Sequence, residues 1–109
     1  GGSALIETFG RGEQGSMSTV YHLDGNDLRL THYCGAKNQP RMKAVGYDPS
    51  EGVIRFEFVD ITNLSAPDAY YTRRVILTLK DEDHIEVRFS GKNRGKESVS
   101  TYSLTRVRD

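Results

Sequence analysis

The sequence has one cysteine, no tryptophan and three prolines among its 109 residues. The lone Cys34 excludes an internal disulfide, and the histidines lack the spacing of a structural zinc site. No segment approaches the roughly 20 apolar residues that span a bilayer as a helix. No charged and then apolar opening marks a signal peptide. We therefore expect a soluble fold held by its own core, with no metal, no cofactor and no membrane partner.

Net charge is also absent, since 15 basic residues balance 15 acidic ones. Without a basic field, electrostatic binding to nucleic acid or to an anionic membrane is disfavoured, and we expect no nucleic-acid partner. A chain of this length suits one domain, 1–109. The compartment stays open, because a cytoplasmic protein and an exported one whose signal has been removed fit equally well.

What the sequence does contain is period-two alternation of β-branched and aromatic residues, with turn signals between the runs. This pattern predicts an all-β fold of about eight strands at 3–9, 17–24, 28–35, 40–48, 53–59, 73–80, 84–91 and 97–106. All but one of the connections from strand 2 onward are short, which favours antiparallel neighbours. The exception is 60–72, in which Ser65 and Pro67 predict a short helical turn acting as a lid or plug.

Strand register can be tested because a slip of one residue would turn every side chain to the opposite face. Three hairpins each acquire one apolar face when their turns are closed. The predicted pairs are Leu23 with Leu28, Tyr21 with Leu30, Thr19 with His32, Met17 with Cys34, Gly46 with Ile54, Ala44 with Phe56, Met42 with Phe58, Leu79 with Ile85, Leu77 with Val87 and Val75 with Phe89.

Such strands bury their apolar faces best as an antiparallel up-and-down meander that closes into a small barrel. An immunoglobulin-like sandwich is less favoured, because its Greek-key crossings need more long connections than this chain has. The chain opens directly on a strand-like run, so we expect a barrel that is incomplete at its N-terminus. The resulting edge would be open to a second copy.

Four segments carry a resemblance to a known family: TVYHLDGNDL at 19–28, LTHYC at 30–34, NQPRM at 38–42 and FEFVDITNL at 56–64. They resemble a family of uncharacterised bacterial lipocalin-like β-barrel proteins, and the similarity covers most of the chain from Ala4 onward. The resemblance implies a calycin-type barrel and an apolar ligand, and it implies no established activity.

The most conspicuous polar residues of the predicted interior are His32 and Cys34. They suggest either a Cys-His nucleophile or a buried histidine beside a small core cysteine. No aspartate or asparagine is evident to orient the histidine. A zinc site with His22 is disfavoured because alternation puts His22 on the opposite face.

Two further positions are candidates for contacting a ligand. Arg41 could hold an acidic head group, although its parity places it outward unless a bulge re-aims it. Tyr102 turns inward with Ser98 and Ser100 if Phe89 pairs with Ser98. A shift of one residue would turn Val99 inward instead, and the pattern leaves both registers open.

Three functions remain as hypotheses. The first is a non-enzymatic binder of a small hydrophobic or amphipathic ligand inside the barrel. The second is a structural barrel that homodimerises through an open edge, and the third is a hydrolase-like enzyme using His32 or Cys34. The predicted ligand-binding residues are Met17, Tyr21, Leu30, His32, Cys34, Arg41, Met42, Phe56, Phe58 and Tyr102.

Overall fold

The computed structural model describes residues 3–9 and 17–107, and within these ranges the chain is all-β, with no helix. The side chain of Phe9 lies outside the description. All eight predicted strands are present, with bounds within a few residues of those expected. They are β1 (Ala4–Phe9), β2 (Met17–Asp24), β3 (Asp27–Tyr33), β4 (Gln39–Asp48), β5 (Val53–Thr62), β6 (Tyr71–Leu79), β7 (His84–Asn93) and β8 (Lys96–Thr105).

The strands form one antiparallel sheet in the order of the chain, which confirms the predicted meander. Tight turns fix this order. Gly25, with φ 61°, takes the first central position of the turn between β2 and β3, as in type II′ hairpins. Arg94 and Gly95 both have positive φ between β7 and β8, as in type I′ hairpins. Both turn types match the twist of the strands they join.

One face of the sheet carries the core. Most of the predicted hairpin pairs are confirmed, and they continue from strand to strand as rows of facing side chains. One row runs from Leu5 through Tyr21 and Leu30 to Met42. The buried apolar side chains, each 4% exposed or less, are Tyr21, Leu30, Met42, Phe56, Val75, Leu77, Val87 and Phe89.

Three bulges interrupt the regular pairing, and one of them makes a predicted pair wrong. Val45 is an extra residue in β4, so Gly46 faces Arg55 rather than Ile54, which pairs with Tyr47. Val59 in β5 and Arg73 in β6 are the extra residues of the other two bulges. A bulge bends its strand and increases the local twist. All three extra residues are exposed.

The last hairpin is longer than predicted. Because its turn is confined to two residues, Phe89 pairs with Ser100 and not with Ser98, a shift of two residues that preserves the face. Tyr102 therefore shares a face with Val87, which is the inward alternative of the two that the pattern left open. Ser98 and Ser100 remain exposed.

The long connection is shorter than predicted, at residues 63–70, because β5 extends to Thr62 and β6 begins at Tyr71. Where a short helical turn was predicted around Ser65 and Pro67, the structure has a single hydrogen-bonded turn, from Ala69 N to Ala66 O, and no helix.

The sheet curls into an open half-barrel and does not close. Among the described residues, β1 pairs only with β2 and β8 pairs only with β7. The outer edges of β1 and β8 therefore keep backbone groups that no strand of the described chain satisfies. These two edges border the cleft described below.

Candidate functional site

A row of polar side chains lies buried at one end of the core. Glu7 on β1 faces Thr19 on β2, and Thr19 faces His32 on β3. Thr19 Oγ1 lies 2.9 Å from His32 Nδ1, and the Tyr21 hydroxyl donates to Glu7 Oε2 at 3.0 Å. Glu7 Oε1 is buried without a hydrogen-bond partner. An unpaired buried carboxyl oxygen is costly, and Glu7 Oε1 is one of three such buried polar atoms among the described residues, with Arg29 Nε and Asn38 Oδ1.

Burial controls the ionisation of this row. It lowers the pKa of His32 from 6.5 to about 4, because the charged imidazolium would lose its water. Burial likewise raises the pKa of Glu7, while the Tyr21 and Thr19 hydroxyls act in the opposite direction. The pKa of Tyr21 is raised by burial and by the neighbouring carboxylate. The His32 ring and the Glu7 carboxyl are thus both biased towards their neutral forms.

The predicted pairing of Met17 with Cys34 is not formed, because β3 ends at Tyr33. Cys34 instead begins the connection to β4, where its carbonyl accepts from Lys37 N at 3.0 Å. The hydrogen-bond partner of His32 is the hydroxyl of Thr19, which is itself fully buried. A catalytic hydroxyl must reach its substrate, so this pair is better suited to structure than to nucleophilic attack. The enzymatic hypothesis gains no geometric support from it.

The ten predicted ligand-binding residues divide between core and surface. Five are core or core-row residues that are buried and in contact with other side chains: Tyr21, Leu30, His32, Met42 and Phe56. The Tyr21 and Phe56 rings are 5.7 Å apart, and the His32 ring lies 4.6 Å from that of Phe89. Met17, Cys34 and Tyr102 are half-buried. The inner face is therefore filled largely by the chain's own side chains.

Arg41 faces outward, as its parity predicted, even though a bulge adjoins it. Its guanidinium makes two contacts with the Asp60 carboxylate, at 2.5 and 2.6 Å. These hydrogen bonds hold the pKa of Asp60 below its ordinary range. An acidic head group at Arg41 would have to compete with this carboxylate.

Phe58 does not join the core, although it faces Met42 as predicted. Its side chain is 37% exposed and packs against the Tyr71 ring at 5.3 Å. It borders a shallow cavity of about 340 Å³, which we call the charged groove. The other residues of this groove are Glu57, Arg73, Arg74, Ser90, Gly91, Lys92 and Glu97.

A larger cavity of about 470 Å³ lies between the free edges of β1 and β8, and we call it the seam cleft. Apart from Phe58 at the charged groove, none of the ten predicted residues lines either of these two cavities. The turn between β6 and β7 lines the seam cleft and is joined to the residue after β8 by a hydrogen bond from Arg106 N to Asp83 O. The lining residues are Leu5, Ile6, Glu7, Thr8, Leu79, Asp81, Glu82, Asp83, His84, Ile85, Leu104, Thr105, Arg106 and Val107.

The seam cleft was not predicted from the sequence because its walls come from three separate parts of the chain, at residues 5–8, 79–85 and 104–107. Glu7 gave the one available signal, as an acidic residue within an apolar strand-like run. That run is apolar on both faces, however, so alternation alone could not place Glu7 inward. Its position follows from pairing with Thr19.

Comparison with families of known proteins, with curated proteins and with solved structures finds no match for this chain. The resemblance to a lipocalin-like family therefore stays a prediction. In the part of the chain that the structure describes, no three acidic, histidine or cysteine side chains are grouped to hold a metal ion. The same part contains no helix long and apolar enough to cross a membrane.

Proposed function

We propose that this chain is a non-enzymatic binding module for a small amphipathic molecule, and that the molecule lies in the seam cleft rather than in the interior. The observation that carries the proposal is the cleft itself. Its volume of about 470 Å³ falls within the range of about 300–1,000 Å³ that is typical of small-molecule sites.

The composition of the cleft supports an amphipathic occupant. Apolar side chains line it from three elements: Leu5 and Ile6 from β1, Leu79 and Ile85 from the β6–β7 hairpin, and Leu104 and Val107 from β8 and beyond. Several are exposed, including Ile6 at 65% and Val107 at 75%. Covering such surface releases about 25 cal/mol for each Å² removed from water. A ligand with an apolar body would gain this energy.

The interior is a poorer site for the same molecule. Its apolar side chains already contact one another at close to zero exposure, so a ligand there would have to displace them. Separating packed core side chains forfeits their mutual dispersion contacts. The seam cleft requires no such displacement.

The proposal is tested by titrating the ¹⁵N-labelled protein with 1-octanol, a neutral amphiphile, and following the amide resonances. Shifts should concentrate in β1, in the β6–β7 turn and at the end of β8. Val107→Ser should weaken binding, whereas Val99→Ser, which changes an exposed valine of β8 away from the cleft, should not. An absence of saturable shifts, or shifts centred on Phe56 and His32, would overturn the proposal.

A second candidate is a homodimer formed through the free edges, favoured by the unpaired outer edges of β1 and β8. Unpaired edges are ready templates for strand addition by another chain. Sedimentation equilibrium at tens of micromolar protein decides it. A mass that remains that of one chain would exclude the dimer.

A further inference from the structure

The seam cleft carries an excess of acidic groups, and this excess specifies the ligand beyond the proposed function. Along its lining, Glu7, Asp81, Glu82 and Asp83 contribute carboxyl groups. The cationic candidates on the same lining are His84 and Arg106. This imbalance contrasts with the chain as a whole, in which acidic and basic residues are equal in number.

The two cationic candidates are poorly placed to bind an anionic ligand. His84 Nδ1 lies 2.8 Å from Asp81 Oδ1, so this histidine already faces a carboxylate. The pKa of Asp81 is lowered by a hydrogen bond from the Asp83 backbone and by His84, which keeps its charge in place. Arg106 is exposed beyond the end of β8. Because Arg106 N donates to Asp83 O, an anion bound at Arg106 would lie beside the acidic turn.

Glu7 provides an observation independent of the acidic turn. It is on the cleft lining, it is 94% buried, and its Oε1 has no hydrogen-bond partner, while Oε2 accepts from Tyr21. A buried acceptor with unused capacity favours an occupant that brings an N–H donor. The lining thus receives a buried carboxyl from β1, which burial biases towards its neutral form, and exposed or half-buried carboxylates from the β6–β7 turn, together with apolar side chains.

We infer that the seam cleft binds a cationic amphiphile, an alkylammonium whose hydrocarbon chain covers the leucines while its ammonium group meets the carboxylates of the turn. This inference rests on the proposed function, since it assigns a chemical class to the same site. It follows from charge complementarity over an apolar groove. The ammonium donates its N–H groups to carboxylates, and such charge-assisted hydrogen bonds are stronger than neutral ones.

The test compares three ligands with the same ten-carbon chain, each below its micellar concentration: decylammonium, decanoate and decyl maltoside. Isothermal titration at pH 7 and low salt measures each affinity. Decylammonium should bind at least tenfold more tightly than decanoate, with decyl maltoside between them. Raising the salt from 20 to 200 mM should narrow this difference, because partly exposed charges are screened.

A matched pair of variants locates the effect. Glu82→Gln removes an exposed carboxylate from the cleft and should reduce decylammonium affinity severalfold without changing decyl maltoside binding. Glu51→Gln removes an exposed carboxylate from the β4–β5 turn, away from the cleft, and should change neither.

The outcomes separate the inference from the proposal beneath it. Equal binding of all three ligands at the cleft would retain the binding function and overturn the cationic class. Tighter binding of decanoate would overturn the class as well. If none of the three binds, the proposed function fails and the inference fails with it.

Discussion

Acid should destabilise this protein through His32. The imidazole is 1% exposed and is held by Thr19, and its pKa in the folded chain is about 4 instead of 6.5. The folded state therefore resists a proton that the unfolded chain accepts. The contribution of His32 to the free energy of unfolding is fully present above the unfolded pKa of 6.5. It is lost as the pH falls from 6.5 to about 4, and below that pH this group causes no further loss.

The size of the effect follows from the two pKa values. The drop from 6.5 to about 4 corresponds to about 3 kcal/mol in the limit of low pH. Between pH 7 and pH 5, proton uptake by the unfolded chain alone costs about 2 kcal/mol. Small domains are typically stable by about 5–15 kcal/mol, so the loss is large enough to measure.

The assay is urea denaturation at pH 7 and pH 5, followed by far-ultraviolet circular dichroism. His32→Gln, which cannot titrate, should lose about 2 kcal/mol less between the two pH values than the wild type does. Thr72→Val is the matched control, because it removes a buried hydroxyl elsewhere and no ionisable group. It should retain the wild-type pH dependence. Equal losses in wild type and His32→Gln would refute the reasoning.

Three other substitutions, two of them with a matched control, test the core and the buried carboxyl. Because burial raises the pKa of Glu7 in the folded chain, its ionisation opposes folding as the pH rises; Glu7→Gln should therefore be more stable than the wild type at pH 8, with a smaller advantage at pH 4 in the same urea assay. A Cβ on Gly91 would stand 2.7 Å from a backbone oxygen of β6, so Gly91→Ala should cost about 1–3 kcal/mol. Gly46→Ala, whose nearest neighbour would be 3.9 Å away, is its control, and equal costs would contradict the overpacking argument. Phe56→Ala should cost about 3–5 kcal/mol in chemical denaturation and the partly exposed Phe58→Ala clearly less, with the reverse order counting against the assigned core.

The hairpins could be predicted from sequence because their information is local. Alternation sets the faces and the turn residues set the register, and both lie within about 20 residues of each other. The row that joins Val75 to Phe89 illustrates this, since closing one short turn places the two side chains opposite each other. The two-residue error at Phe89 and Ser100 arose where several turn-forming residues follow one another, at 91–96, and only the positive φ of Arg94 and Gly95 fixes the turn.

The bulges could not be predicted in the same way. Val45, Val59 and Arg73 are ordinary strand residues, and their residue types do not predict that they have no cross-strand partner. Each bulge changes the local twist and re-aims the neighbouring side chains. The pairing of Gly46 with Ile54 therefore failed although both residues belong to a correctly predicted hairpin.

The seam cleft depends on the twist and bending that accumulate along the whole sheet. Twist between neighbouring strands and the bends at three bulges together bring β1 and β8 to face each other. Leu5 and Leu104 thus line one cavity although about 100 positions separate them in the chain. Local alternation places most of the predicted interior correctly, with Phe58 and Cys34 as exceptions, and that interior is occupied by its own side chains. A sheet that fills its inner face in this way and leaves two edges unpaired keeps part of its exposed apolar surface at the seam, where Leu5, Leu79 and Val107 line the cleft.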